Sequence, residues 1–260
     1  MASSPLLFEN SVIQLCDGEG PSYLLACDKD YGTELWRTKR NSSGCWSTPA
    51  LVYVAEGDGF QYELVVNGTG SRDGSNGVVS AYDPIHGGML WNVRGTSDIP
   101  IPSIMVGPQM VVSASGPSGP LFAIRPGGRG DVTETHMLWH YPSGGVEVAT
   151  GVIYEDRAYC VSARGVVTCR DLNDGRPVWR KRIEGEFSAS LIAGAGHVYA
   201  TSEQGRMYVF EAADKFRLAE RCLATPAIAN GDLYVRTVGH LIRVGSTVPG
   251  QSRKEIALAE

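Results

Sequence analysis

The chain has 260 residues, of which 43% are hydrophobic and 20% are charged, so it can form a packed core and does not have the composition of a disordered protein. A formal net charge of −5 argues against phosphate-driven binding of nucleic acid. No stretch approaches the roughly 18 consecutive apolar residues of a membrane span, and the first residues lack the basic and apolar regions of a signal peptide.

An Asp-x3-Gly-x3-Trp pattern recurs along the chain. Glycine tolerates a positive φ and aspartate accepts hydrogen bonds from turn amides, so each copy predicts a tight turn between two strands. A degenerate copy begins at Ala123, contains an insertion and ends at Trp139, and a fifth copy at 209–214 has lost its glycine and tryptophan. The complete copies are Asp28-Gly32-Trp36, Asp83-Gly87-Trp91 and Asp171-Gly175-Trp179.

The four tryptophans that end these copies are large, flat side chains at equivalent positions. A tryptophan buries about 150–250 Å² of surface, so each is predicted to pack against the next repeat rather than to bind a ligand. These residues are Trp36, Trp91, Trp139 and Trp179.

A second pattern, Ser-x-Pro or a variant of it, precedes short runs rich in Val, Tyr and Thr that are interrupted by glycine. Such runs predict strands and hairpins, and no segment keeps the 3.6-residue period of a helix. The second pattern occurs at 47–50, 101–103, 188–190 and 224–227.

Together the two patterns predict repeating units of four strands. The 260 residues accommodate six units of about 43 residues, the size of β-propeller blades. The predicted fold is therefore an all-β propeller in a single domain, 1–260, with six blades or as part of a seven- or eight-bladed ring. The predicted blades are 5–40, 48–95, 102–142, 149–184, 188–222 and 223–260, and the segment 253–260 is expected to supply the last outer strand.

The paired patterns resemble the PQQ-like repeat of the quinoprotein-like β-propeller superfamily. The resemblance covers nearly the whole chain and is seen in segments such as ACDKDYGTELW and GVVTCRDLNDGRPVW. It implies a propeller fold, whereas function varies within the superfamily. Some members are alcohol dehydrogenases that bind pyrroloquinoline quinone and calcium, and others are non-catalytic scaffolds, such as the lipoprotein of the outer-membrane β-barrel assembly machinery. Many bacterial relatives are exported.

The sequence departs from the dehydrogenase pattern in several respects, which include room for about six blades where those enzymes have eight. Those enzymes share an adjacent pair of cysteines over the quinone, and no two cysteines of this chain are adjacent. We therefore assign no catalytic or metal-ligating residue and expect a non-catalytic scaffold for a protein or polysaccharide partner. A quinone- and calcium-dependent dehydrogenase, or a degenerate relative, is the alternative. A carbohydrate-binding or carbohydrate-active propeller is the second alternative, which two inward carboxylates about 5–9 Å apart would support.

Longer loops in the N-terminal half suggest where a partner would bind. Loops on a rigid scaffold commonly carry function, and those between strands two and three and between blades are longest in the first blades. We expect candidate binding residues there, with a solvated turn as the plainer interpretation of the charged ones. The candidates are Asp17, Glu19, Trp46, Arg72 and Asp73.

Two of the six cysteines, Cys160 and Cys169, flank a predicted hairpin. If Arg164-Gly165 is a two-residue turn, the two cysteines lie directly opposite each other. They are then either small buried side chains on one sheet face, which we favour, or a cross-strand disulfide.

Overall fold

The computed structural model describes residues 3–18, 20–42, 44–56, 59–69, 77–97, 100–116, 118–223, 226–229, 232–236, 240–244 and 256–257. Within these ranges the strands form six sheets, each with a four-stranded antiparallel meander, which confirms the predicted all-β propeller class. We number these sheets as blades 1 to 6 in chain order.

The blades follow one another along the chain with short connections. Blade 1 comprises β1 (Leu6–Phe8), β2 (Ser11–Cys16), β3 (Ser22–Asp28) and β4 (Glu34–Arg40). Blade 2 comprises β5 (Ala50–Glu56), β6 (Gly59–Gly68), β7 (Gly77–Tyr82) and β8 (Met89–Thr96). Blade 3 comprises β9 (Met105–Val106), β10 (Val111–Ala114), β11 (Leu121–Ile124) and β13 (Met137–Tyr141), with β12 (Gly130–Asp131) and the short helix α1 (Thr133–His136) inserted before β13.

The remaining blades lack such an insertion in the described residues. Blade 4 comprises β14 (Val152–Tyr154), β15 (Arg157–Val161), β16 (Val166–Asp171) and β17 (Pro177–Arg182). Blade 5 comprises β18 (Ile192–Gly194), β19 (His197–Thr201), β20 (Arg206–Glu211) and β21 (Leu218–Leu223). Blade 6 comprises β22 (Pro226–Ala229), β23 (Asp232–Arg236), β24 (His240–Val244) and β25 (Ile256–Ala257), the last within the predicted terminal strand segment.

The strand order within a blade defines two rims. Because consecutive strands are antiparallel neighbours, the turns between strands one and two and between strands three and four lie at the same end of each blade. We call this end the Asp-turn rim. The loops between strands two and three and the connections between blades lie at the opposite end, which we call the connection rim.

The hydrophobic core lies between neighbouring blades rather than within one sheet. Trp91 and Val79 of blade 2 pack in one cluster with Phe122 of blade 3, and Tyr159 of blade 4 packs in another with Phe210 of blade 5. Since both faces of a central blade are covered, its strands are buried on both sides. The first strands of blades 2 to 5 also contact one another in order, β5 with β9, β9 with β14 and β14 with β18.

A series of hydroxyl groups links the starts of neighbouring blades. The backbone N–H of Ser4 donates to Thr48 Oγ1 (3.1 Å), that of Thr48 donates to Ser103 Oγ (2.8 Å), and that of Ser103 donates to Thr150 Oγ1 (2.9 Å). Two of these residues, Thr48 and Ser103, belong to the Ser-x-Pro pattern. The pattern thus supplies a hydrogen-bond acceptor for the preceding blade.

The insertion in blade 3 reaches back to blade 2. Its strand β12 pairs in parallel with β8, where Gly130 lies opposite Trp91 and Asp131 opposite Asn92. Val132 is buried in the core between the two blades, and Asp131 forms an ion pair with Arg94 (2.9 Å). The insertion therefore covers the outer edge of blade 2 with a fifth strand.

The register around the hairpin of blade 4 differs from the two-residue turn considered above. Cys160 pairs with Thr168 and Tyr159 with Cys169, a shift of one residue. The loop is longer because Ser162 pairs with Val166 through a backbone hydrogen bond, which leaves three residues in the turn, with Gly165 at φ 76°. A one-residue shift turns the two cysteines to opposite faces of the sheet. Both are free thiols, so the cross-strand disulfide and the shared face are wrong.

Candidate interaction surfaces

The Asp-turn rim takes its regular shape from the aspartates of the repeat. The Asp28 carboxylate accepts the backbone N–H groups of Asp30 and Tyr31 at 2.9 Å each, and Asp83 and Asp171 make the equivalent bonds to their own turns. The N–H of Gly32 donates to the Asp28 carbonyl, and the glycine φ of 70° is one that residues with side chains rarely adopt. These aspartates are thus engaged in turn formation.

The tryptophans of the repeat contact the next blade. The indole N–H of Trp139 donates to the Leu172 carbonyl (2.9 Å), and that of Trp179 donates to the Ala213 carbonyl (2.8 Å). The ring of Trp139 lies on Gly175, where an added Cβ would come within 2.7 Å of it, and the ring of Trp36 lies on Gly87 in the same way. Each glycine therefore permits both its turn and the approach of a tryptophan.

Blade 2 makes this contact through a buried carboxylate. The indole N–H of Trp91 donates to Glu63 Oε2 (2.7 Å), and the backbone N–H of Gly127 in blade 3 donates to the same oxygen (3.1 Å). Glu63 is fully buried. Its sequence context, a glutamate in a strand, gave no signal of this role.

The predicted candidates on the connection rim have different environments. Asp17 is buried and forms an ion pair with Arg40, whose Nε lies 3.0 Å from Oδ1 and whose Nη1 donates to Tyr82 Oη (2.6 Å). The Arg40 guanidinium thus joins the Asp17 carboxylate of blade 1 to Tyr82 of blade 2. Trp46 is 42% exposed. The candidates Glu19, Arg72 and Asp73 lie outside the described residues.

A shallow depression of about 350 Å³ lies near the Asp17–Arg40 pair. Residues 20–22 and 40–42 line it. Cys45 is buried close by, where its Sγ donates to the Asn67 carbonyl (2.9 Å), and burial raises the pKa of this thiol above its ordinary value. A neutral thiol is a weak nucleophile, which does not favour covalent chemistry at this point.

For dehydrogenases of the superfamily, the resemblance implies a calcium ion beside the quinone. Calcium requires a convergent set of oxygen ligands. Among the described residues no three His, Cys, Asp or Glu side chains come close enough to hold a metal ion. Two buried carboxylates, Asp17 and Glu63, are instead hydrogen-bonded to the protein's own groups.

The structure also shows an exposed aromatic surface that sequence analysis did not identify. Tyr53, Phe60 and Tyr62 lie on one face of the hairpin formed by β5 and β6, and their exposed fractions are 54%, 63% and 46%. Tyr53 stacks on Phe60 with ring centroids 4.6 Å apart, and Tyr62 contacts Phe8 of blade 1 edge-on at 5.4 Å. Only strand alternation and the length of the hairpin could have predicted this surface from sequence. We call these three residues the aromatic step.

Sheets stacked through tryptophans and joined at their inner strands define a β-propeller of the PQQ-like repeat class. The family model described as outer membrane protein assembly factor BamB matches residues 75–218, more than half of the chain. The chain belongs to this family. Among the described residues, no helix has both the length and the apolar character needed to span a membrane.

Solved structures support the fold. The chain is similar to BamB from Moraxella catarrhalis (TM-score 0.65, 14% identity), with 90% of this chain and 68% of that one covered. It is also similar to the computationally designed Ika8 protein (TM-score 0.61, 13% identity, 93% and 70% covered) and to Sqt1 from Saccharomyces cerevisiae (TM-score 0.59, 13% identity, 86% and 65% covered). No curated protein matches the chain. At these identities the similarity shows the fold alone.

Proposed function

We propose that this protein is a non-catalytic scaffold that binds a protein partner during the assembly of a larger complex. The observation that carries the proposal is the match of residues 75–218 to a family described as an assembly factor. Buried polar groups favour the same interpretation, because Arg40, Glu63 and Trp139 form hydrogen bonds from one blade to the next.

The alternative within the superfamily is a quinone-dependent dehydrogenase, and one titration separates the two. Purified protein is titrated with pyrroloquinoline quinone in a calorimeter, with and without calcium. We expect only the heat of dilution in both cases. Tight, calcium-dependent binding of one quinone per chain would overturn the scaffold proposal.

A second experiment tests the positive part of the proposal. The tagged protein is cross-linked in native cell extract, recovered and examined by mass spectrometry, with an unrelated β-propeller of similar net charge as the control. We expect one protein to be recovered in stoichiometric amount with this chain and not with the control. Recovery of a polysaccharide instead would favour a carbohydrate-binding propeller and contradict the proposal.

A further inference from the structure

The hairpin of β5 and β6 is longer than its counterparts in the other blades. Its strands have 7 and 10 residues, whereas the first strands of blades 3, 4 and 5 have 2, 3 and 3. Beyond the Tyr53–Tyr62 pair, three more residue pairs extend to the turn at the Asp-turn rim. The hairpin therefore continues past the level at which Phe8 of blade 1 contacts Tyr62.

The two faces of this hairpin are in different environments. Val52 and Val54 point towards blade 3 and are buried in the core with Trp91. The opposite face begins in the core between blades 1 and 2, with Leu64 buried there. It then continues outward into the aromatic step. The aromatic step thus extends the core between blades 1 and 2. Its side chains are exposed because β1 ends at Phe8 and does not cover them.

On the blade 1 side of the hairpin, which carries the aromatic step, the turns of blades 1 and 2 are acidic. The neighbouring turns of blades 1 and 2 at the same rim comprise residues 9–10, 28–33 and 83–88, and Lys29 is the single lysine or arginine within them. Glu9 directly follows Phe8, and the turn of Glu9 is held against that of Asp28 by a hydrogen bond from Asn10 (2.7 Å). The carboxylates of these turns are Glu9, Asp28, Asp30 and Asp83.

We infer that the aromatic step is the docking surface for a protein segment that presents apolar side chains next to lysine or arginine. This inference rests on the proposed scaffold function and names its surface and the chemistry of its partner. Exposed aromatic residues supply large apolar contact area, and acidic groups at the border attract and orient a basic partner. The negative charge of the turns beside the aromatic step is the feature that favours a basic partner.

The same observations disfavour other occupants. A second copy docked about a twofold axis would place the acidic turns against themselves. A neutral polysaccharide gains nothing from the acidic border, and the stacked faces of Tyr53 and Phe60, 11° from parallel, already cover each other. An anionic membrane surface would be repelled.

The test uses the full chain and labelled model peptides, with fluorescence anisotropy as the readout. The probe is a ten-residue peptide of alternating Lys and Leu, and the comparison peptides replace Lys by Glu or Leu by Ser. We expect the Lys–Leu peptide to bind, with affinity falling as salt is raised, and the other two to bind at least about tenfold more weakly. Equal binding of the Lys–Leu and Lys–Ser peptides would overturn the inference, since it would show charge attraction alone.

Variants then locate the surface. Phe60→Ser and Tyr62→Ser should each lower the affinity for the Lys–Leu peptide by about tenfold. Asp30→Lys should also lower this affinity, although it removes no aromatic ring. Val148→Ser is the control, because Val148 is an exposed apolar residue in the connection between blades 3 and 4, at the opposite rim. Loss of binding in the control alone would place the site on the connection rim and contradict the inference. Thermal unfolding of each variant separates lost binding from lost folding.

Sedimentation and cross-linking complete the test. A wild-type dimer that Phe60→Ser converts to a monomer would identify a second copy as the occupant and overturn the inference. If the protein recovered from native extract still cross-links to Phe60→Ser in full amount, the docking surface is wrong and the scaffold function stands. If the wild type recovers no protein, the scaffold function itself fails.

Discussion

At the scale of single residues, buried polar side chains are used to connect blades. Glu63 illustrates this, because one carboxylate oxygen accepts hydrogen bonds from Trp91 of its own blade and from Gly127 of the next. In blades 3 and 4 a backbone carbonyl of the following blade accepts the indole N–H instead. The insertion in blade 3 directly follows Gly127. The Glu63 carboxylate thus takes the place of the turn carbonyl that accepts the indole N–H of Trp139 and of Trp179.

Glu63→Ala should therefore destabilise the protein by about 3 kcal/mol, because it leaves the buried Trp91 N–H and the partly buried Gly127 N–H without their acceptor. Glu63→Gln keeps an amide oxygen at the same position and should cost less. Urea unfolding followed by tryptophan fluorescence measures both. Equal losses in the two variants would show that charge, and not hydrogen bonding, is what matters at this position.

The buried cysteines should resist alkylation and make stability depend on pH. Burial raises the pKa of Cys160 to about 12 and that of Cys169 to about 11. Unfolded thiols ionise near 8.5, so the unfolded chain loses these protons first as pH rises. The stabilisation is complete below about pH 8 and is lost progressively between that pH and the folded-state values.

Unfolding free energies measured at pH 8 and at pH 10.5 should show this loss. The Cys160→Ala/Cys169→Ala variant should lose less stability over the same interval. A pH dependence that is identical in the variant and the wild type would contradict the assignment. In the wild type, iodoacetamide at pH 8 should modify these two residues only after unfolding.

At the scale of elements, two kinds of contact join neighbouring blades among the first four. One is the tryptophan on a glycine of the next turn, and the other is the hydroxyl series that includes Thr48, Ser103 and Thr150. Both rely on positions that repeat along the sequence. These blades are thus joined to their neighbours both at the outer strand and before the inner strand.

Ser103→Ala should cost about 1–2 kcal/mol, because the N–H of Thr48 loses its acceptor in a half-buried position. Ser103→Thr should retain most of the stability, since threonine supplies the same hydroxyl at positions 48 and 150. Thermal or urea unfolding of the two variants provides the comparison. A loss in Ser103→Thr as large as in Ser103→Ala would argue for packing instead.

At the scale of the whole molecule, the shared cores predict cooperative unfolding. Trp139 belongs to a cluster that contains residues of blades 3 and 4, so its effect is not confined to one sheet. Trp139→Ala should lower the free energy of unfolding by about 3–5 kcal/mol through the cavity that it leaves. Trp46→Ala, at an exposed position, should have a much smaller effect.

Hydrogen exchange with mass spectrometry reports how this loss is distributed. In Trp139→Ala, amides of blades 2 to 5 should lose protection together, because each blade shares a core with the next. Loss restricted to blades 3 and 4 would show that the blades unfold as separate units, as in a repeat array with weak coupling.

Much of this architecture could be predicted from sequence because its signals are local. The Asp–Gly spacing specifies a turn, and strand alternation with regular recurrence specifies stacked four-stranded units, so the all-β propeller class is confirmed. Register was less predictable. The sequence near Arg164-Gly165 suits both a two-residue and a three-residue turn, and only the Ser162–Val166 pairing decides between them. The length of this turn determines that Cys160 and Cys169 lie on opposite faces of the sheet.

The candidate site depended on contacts between residues far apart in the chain. The interpretation of Asp17 as a loop carboxylate changed once Arg40 and Tyr82 were seen beside it, and the predictions for Glu19, Arg72 and Asp73 remain predictions. The aromatic step exists because blade 1 stops at Phe8 while the neighbouring hairpin continues. The sequence by itself determined the repeat, its turns and the class of fold, since these depend on neighbours along the chain. Which side chains are buried, paired or exposed depends on the length of the adjacent blade, and only the tertiary structure decided that.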